Sequence, residues 1–171
     1  MEQVVGVVER SADQVADRST NTYELVEGVS DALVLHCSDP RFQKAFHDFL
    51  HDELKLRMPA VIAIPGSSAS IGVQAFLPKN WYALRNQIEL MATHNSFPRV
   101  VLINHDDCKG YAHIAKWLKG ITNLAGEQRR HLKVLAGYIQ KEYLPGAKFE
   151  LYQARIVEES GTRKVKFESV I

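Results

Sequence analysis

Two short patches carry the residues best suited to chemistry: Cys37-Ser38-Asp39-Pro40-Arg41 and His105-Asp106-Asp107-Cys108. Together they hold the only two cysteines of the chain. Thiolate sulfur and imidazole nitrogen are preferred zinc donors, and a catalytic zinc keeps three protein ligands and one open position. Cys37, His105 and Cys108 would supply two sulfurs and one nitrogen. His105 and Cys108 are three apart, so both can converge on one ion from a strand-to-helix turn. The other account of the same residues is two buried apolar cysteines and an ordinary loop histidine.

The flanking sequence says what must position these groups. Each patch follows a short apolar run, Ala32-Leu33-Val34-Leu35 before the first and Val100-Val101-Leu102-Ile103 before the second. Such runs fit parallel strands covered on both faces. In an open α/β sheet the ligand site lies beyond the carboxyl ends of the strands. Both patches are therefore expected beyond the carboxyl ends of their strands. Phe42, Ala45, Phe46, Phe49 and Leu50 recur at helical spacing, which predicts an amphipathic helix over Phe42 to Leu56. His47 and His51 sit four apart on its polar side and read as solvated surface rather than a second metal pair. A strand over Ala60 to Ile64 runs into Pro65-Gly66-Ser67-Ser68, small residues that form either a plain turn or an anion cradle. Helices are expected over Trp81 to Thr93, Tyr111 to Leu118 (with Ile114, Ala115 and Leu118 inward) and Glu127 to Tyr143, the last stopped by Pro145-Gly146. Residues 1 to 20 read as a short helix or arm, with Val4, Val5, Val7 and Val8 as an apolar patch, and Asn21 to Asp31 as a connection. Strands alternating with helices give an α/β fold with a mainly parallel central sheet flanked by helices. Without repeats, linkers or low-complexity segments, residues 1–171 form a single domain, with 1–30 as its N-terminal arm.

The paired motifs, Cys-x-Asp-x-Arg at one strand end and His-x-x-Cys at a later one, resemble the signature of the β-class carbonic anhydrases. Cys37-Ser38-Asp39-Pro40-Arg41 matches the first in full and His105-Asp106-Asp107-Cys108 the second. The spacing between them is similar, as is the lead-in from Gln87 to Ile103. The tail also resembles the family's closing hairpin: Phe149 to Val157, a Ser160-Gly161 turn, then Lys164 to Val170. The resemblance implies a β-carbonic anhydrase-like fold and a zinc enzyme, a carbonate dehydratase that reversibly hydrates CO2 to bicarbonate. Water on the zinc would have its pKa lowered from about 15.7 toward 7, giving hydroxide at neutral pH. It further implies that Asp39 either orients that water or ligates the metal, and that Arg41 pairs with Asp39 and holds it off. By spacing alone Asp39 and Arg41 read first as a local salt bridge beside a helix start; the motif match turns the reading to the functional pair. A homodimer, or a dimer paired again into a tetramer, is implied as well.

Two departures stand out. Lys109 follows Cys108 where the family usually has Gly, with Gly110 one place later. Pro65-Gly66-Ser67-Ser68 replaces an Arg-Asn-Ala-Gly-like stretch. They keep a second function open: a carbonic anhydrase-like zinc protein that binds another small molecule or anion, or hydrolyses a CO2-like molecule such as carbonyl sulfide.

Composition bounds the rest. The 171 residues suffice for one core. Lys plus Arg number 21 against 20 Asp plus Glu, so charge gives no argument for nucleic acid or a membrane surface. Two cysteines are too few for a disulfide scaffold. The first twenty residues contain Glu2, Glu9, Asp13 and Asp17 and no long apolar run, so no signal peptide is expected. No stretch approaches the roughly 20 apolar residues of a membrane span. A cytoplasmic protein is the expectation.

Overall fold

A computed structural model describes residues 22–116 and 123–171. The helix or arm expected over residues 1 to 20, and Leu118, lie outside the described residues. Five strands form one sheet: β1 (Ala32–Cys37), β2 (Pro59–Ile64), β3 (Arg99–His105), β4 (Lys148–Glu159) and β5 (Thr162–Ser169). Their order is β2-β1-β3-β4-β5. β1 pairs parallel with β2 and β3, and β3 with β4; only β5 runs antiparallel, to β4. The fold is α/β, as expected.

β1 and β3 are the central strands because they are apolar on both faces. Leu33, Leu35, Val100 and Leu102 point to one side, where Leu84 and Ile88 of α3 (Pro78–His94) and Leu132, Leu135 and Ile139 of α5 (Leu124–Glu142) cover them. Ala32, Val34, Val101 and Ile103 point to the other, under Phe42, Phe46, Phe49 and Leu50. This alternation is what a strand's two-residue period imposes. β2 lies at an edge and leaves Val61 exposed.

The expected helix over Phe42 to Leu56 needs a correction. It is α-helical only over α1 (Gln43–Asp48), then widens into a π-helical turn, Phe49–Glu53, with Leu54 N–H donating five residues back to Phe49 O. The wider turn lets Phe49 and Leu50, adjacent in sequence, both reach the sheet, and Phe49 stacks on Phe167 of β5 at 3.9 Å.

The remaining elements follow local signals. Pro78 opens α3, and Asn95 leaves it in extended conformation. Asn123 caps α5 by accepting from Gly126 N–H at 2.9 Å. Ser160 and Gly161 both have positive φ, the twist a tight hairpin needs. Two short helices, α2 (Ala69–Gly72) and α4 (Lys109–Ala115), follow β2 and β3. Residues 22–31 contain no helix or strand. Among the described residues no helix is long and apolar enough to cross a membrane.

Candidate metal centre

The register fixes where the two patches meet. Leu35 lies opposite Leu102, so the last residue of β1, Cys37, and the last of β3, His105, emerge side by side. Asp107, at φ +54°, then turns the chain. Asp tolerates this left-handed conformation better than most residues. The turn brings Cys108, which caps α4, back toward His105. The ligand atoms of Cys37, His105 and Cys108 all lie within 4.8 Å of one another, and all three residues are buried. Cys37 and Cys108 are free cysteines, their sulfurs 3.8 Å apart, far beyond a disulfide bond of about 2.05 Å.

The imidazole is oriented for coordination. His105 Nδ1 lies 2.7 Å from the carbonyl of Asp106. A carbonyl only accepts, so Nδ1 carries the proton and Nε2 a lone pair. Nε2 is buried and has no hydrogen-bond partner, an arrangement that calls for an explanation in a folded protein. A metal ion shared with two sulfurs supplies one. A ligating histidine ordinarily donates its other N–H to a carbonyl or carboxylate, as here. Phe42 packs on the ring at 4.1 Å between centroids.

The thiols are electrostatically unequal. The Cys108 thiol and then the His105 ring beside it, with the main-chain N–H groups of Gly66 (3.2 Å) and Asp39, hold Cys37 well below the usual thiol range, against burial. The Cys37 sulfur and burial push Cys108 up. A bound cation would deprotonate both. These donors suit a thiophilic ion; the three residues could hold a metal ion.

The Pro65-Gly66-Ser67-Ser68 loop borders this centre. It is not an anion cradle: Gly66 N–H is spent on the Cys37 sulfur, Ser67 Oγ donates to Ile103 O at 2.9 Å, and Ser68 Oγ meets the Tyr111 hydroxyl at 2.8 Å. Gly66 has φ +82°, and a Cβ on Gly110 would lie 2.6 Å from Gly66 N. Glycine at 110 is what lets α4 close on the loop.

Asp39 and Arg41 form a two-point pair. Arg41 Nε donates to Asp39 Oδ1 at 3.0 Å, and Nη2 to Oδ2 at 2.7 Å. The Arg41 guanidinium holds the Asp39 carboxyl down at about 2, and the two carboxylates around Arg41 raise its own pKa. Gln43 Nε2 donates to the carbonyls of Cys37 and Asp39 and fixes the intervening turn. A pocket of about 310 Å³ is lined by Cys37, Asp39, Arg41, Pro65, Lys109 and Gly110, among others. The structure thus gathers all five residues singled out from sequence. His47 and His51 lie elsewhere, rings 4.4 Å apart and outside the only metal-type trio among the described residues.

Sequence reasoning missed several residues around the site. Asp107 Oδ2 accepts from Arg41 Nη1 at 2.8 Å. Asp106 pairs with Arg155 at 2.8 Å. Behind His105 runs a buried chain in which Gln153 Nε2 donates to Gln128 Oε1, and Gln128 Nε2 to His105 O at 3.1 Å. Asn104 donates to Ser68, Tyr111 and Gln128 O. The available signal was Asn104, a polar residue directly after the apolar run Val100–Ile103 of β3.

No family model matches the chain, and no curated protein does. Among solved structures it is similar to a carbonic anhydrase from Glaciozyma antarctica, 15% identical over 78% of this chain and 80% of that one, with a TM-score of 0.45. It is also similar to beta-carbonic anhydrase isoform I from the protozoan Trichomonas vaginalis, 12% identical over 88% of each chain, with a TM-score of 0.35. The chain resembles the β-class carbonic anhydrases. What it does rests on its own residues.

Proposed function

We propose that this protein is a zinc-dependent carbonic anhydrase that reversibly hydrates CO2 to bicarbonate, with Cys37, His105 and Cys108 as metal ligands. The observation that carries the reading is the buried, unpaired Nε2 of His105 beside two cysteine sulfurs, at a pocket walled by Asp39 and Arg41. Zinc held by Cys37, His105 and Cys108 would bring the pKa of a bound water toward about 7, making hydroxide available at neutral pH. Asp39 is ionised throughout the neutral range. It therefore acts as a hydrogen-bond acceptor that orients the reacting hydroxyl, not as a base that removes its proton. Arg41 holds both Asp39 oxygens and keeps the carboxylate away from the ligand trio. Pro65 gives the pocket an apolar wall suited to CO2, and Arg41 and Lys109 put positive charge where bicarbonate forms.

Lys109 also favours a second reading, in which the pocket hydrolyses a CO2-like molecule such as carbonyl sulfide or binds another small anion. Zinc-replete protein should hold about one zinc per chain, lose most of it in Cys108→Ser, and hydrate CO2 between about pH 7 and 9. Inactive zinc-loaded protein would defeat the first reading, and carbonyl sulfide turnover by the same sample would establish the second. The reading takes the chain as one domain, cytoplasmic in keeping with two unpaired thiols, and a homodimer.

A further inference from the structure

We propose that Asp107 is a positioning residue that locks Arg41 in place and thereby keeps Asp39 from closing the metal site. The inference rests on the reading that Cys37, His105 and Cys108 hold a metal. Asp107 offers Arg41 two acceptors of different kinds. Its Oδ2 takes Nη1–H at 2.8 Å and its main-chain O takes Nη2–H at 3.1 Å. Asp39 takes Nε–H and the other side of Nη2. A guanidinium has five N–H donors, and the two aspartates use different ones. Asp107 therefore does not compete with Asp39; it anchors the far end of the same planar fork.

The anchor is tied to the metal centre itself. Asp107 sits in the turn between His105 and Cys108, in the left-handed conformation that brings those two ligands together. Arg41 thus bridges the turn carrying one ligand, Cys37, to the turn carrying the other two. Arg41 cannot swing out and release Asp39 without breaking both contacts to Asp107. An exposed ion pair alone contributes little, and Asp107 is exposed. Its effect here is geometric: it restricts where Arg41 can go.

The test uses cobalt-loaded protein titrated with azide and followed by visible absorption. Azide competes for the position that a released Asp39 would take. Asp107→Gly removes the carboxylate while keeping the carbonyl and the positive φ. Asp107→Asn keeps the turn and one acceptor. Removing a negative charge by itself would tighten azide binding. The proposal requires the opposite sign: azide binding about fivefold weaker in Asp107→Gly, the scale of one exposed ion-pair contact, and less weakened in Asp107→Asn. In an Asp39→Asn background, Asp107→Gly should no longer weaken azide. Unchanged or tighter azide binding in Asp107→Gly would overturn the proposal, as would weakening that persists without Asp39. Loss of cobalt from both Asp107 variants would make the residue structural and overturn it too. CO2 hydration by the zinc-loaded wild type is scored apart. Inactivity with Asp39-dependent azide binding defeats the proposed function and leaves Asp107 its role; activity with azide binding indifferent to Asp107 does the reverse.

Discussion

In the proposed mechanism Arg41 is the side chain on which the site turns. A carboxylate two residues from a thiolate ligand would by itself be drawn to the same cation. What holds Asp39 back is a planar group that takes both of its oxygens at once. Arg41→Ala should therefore keep its metal and lose roughly 100-fold in CO2 hydration, on the scale of removing one preorganised group. Arg41→Lys should recover only part of that, because an ammonium lacks the fork. Stopped-flow rates beside zinc content decide the matter, and full activity in Arg41→Ala would remove the dyad from the mechanism. The dyad was legible in Cys37-Ser38-Asp39-Pro40-Arg41 only through its resemblance to a known motif. Asp107 was not legible at all, because its partner lies 66 positions away and only the pairing of β1 with β3 brings them together.

The α4 start and the loop after β2 close on each other at a pair of glycines. Ala at position 110 would gain about 1 kcal/mol in helix propensity. Its Cβ would also lie 2.6 Å from Gly66 N and 2.7 Å from Gly66 Cα, both main-chain atoms, and overpacking of this kind costs about 1–3 kcal/mol. The clash is with backbone, so it should win. It also moves the N–H that Gly66 donates to Cys37. Gly110→Ala should be destabilised by about 1 kcal/mol net and bind zinc more weakly, as read by urea unfolding and a competing chelator. Unchanged stability and affinity would mean the loop yields freely. The Lys109-Gly110 departure thus has a structural reading: the glycine that touches the loop is at 110, and Lys109 faces the pocket.

One consequence belongs to the assembled molecule. His131 of α5 is 1% exposed, its ring against Gly72 and stacked on Tyr111. Burial, then the neighbouring Arg130, pull its pKa from 6.5 down to about 4, with Glu127 opposing. The folded state therefore refuses a proton that the unfolded chain accepts below pH 6.5. Stability from this residue is complete above pH 6.5 and is lost as pH falls from there to about 4, by up to about 3 kcal/mol. Urea midpoints at pH 7 and 4.5 should fall less in His131→Gln than in the wild type; an equal fall would acquit the histidine. The proposed homodimer belongs to the same scale. Tyr23, Leu25 and Val29, in the irregular segment before β1, are each more than 80% exposed, and a second copy would cover them. Sedimentation at micromolar concentration should give a dimer, and a monomer would contradict it.

The chain itself determined the α/β class, the mainly parallel sheet and the trio Cys37, His105 and Cys108 at the carboxyl ends of its central strands. Those signals are local: apolar runs for buried strands, helical spacing for their covers, and donors placed just past strand ends. The sequence also left two matters to the tertiary structure. One was the use of the Pro65-Ser68 loop, whose N–H and hydroxyl groups serve the Cys37 sulfur and the protein interior. The other was the π-helical turn at Phe49, where packing against β5 overrides α-helical spacing. Both depend on which strand lies beside which. Pairing across tens of residues is set by the whole core at once, and no window of sequence contains it.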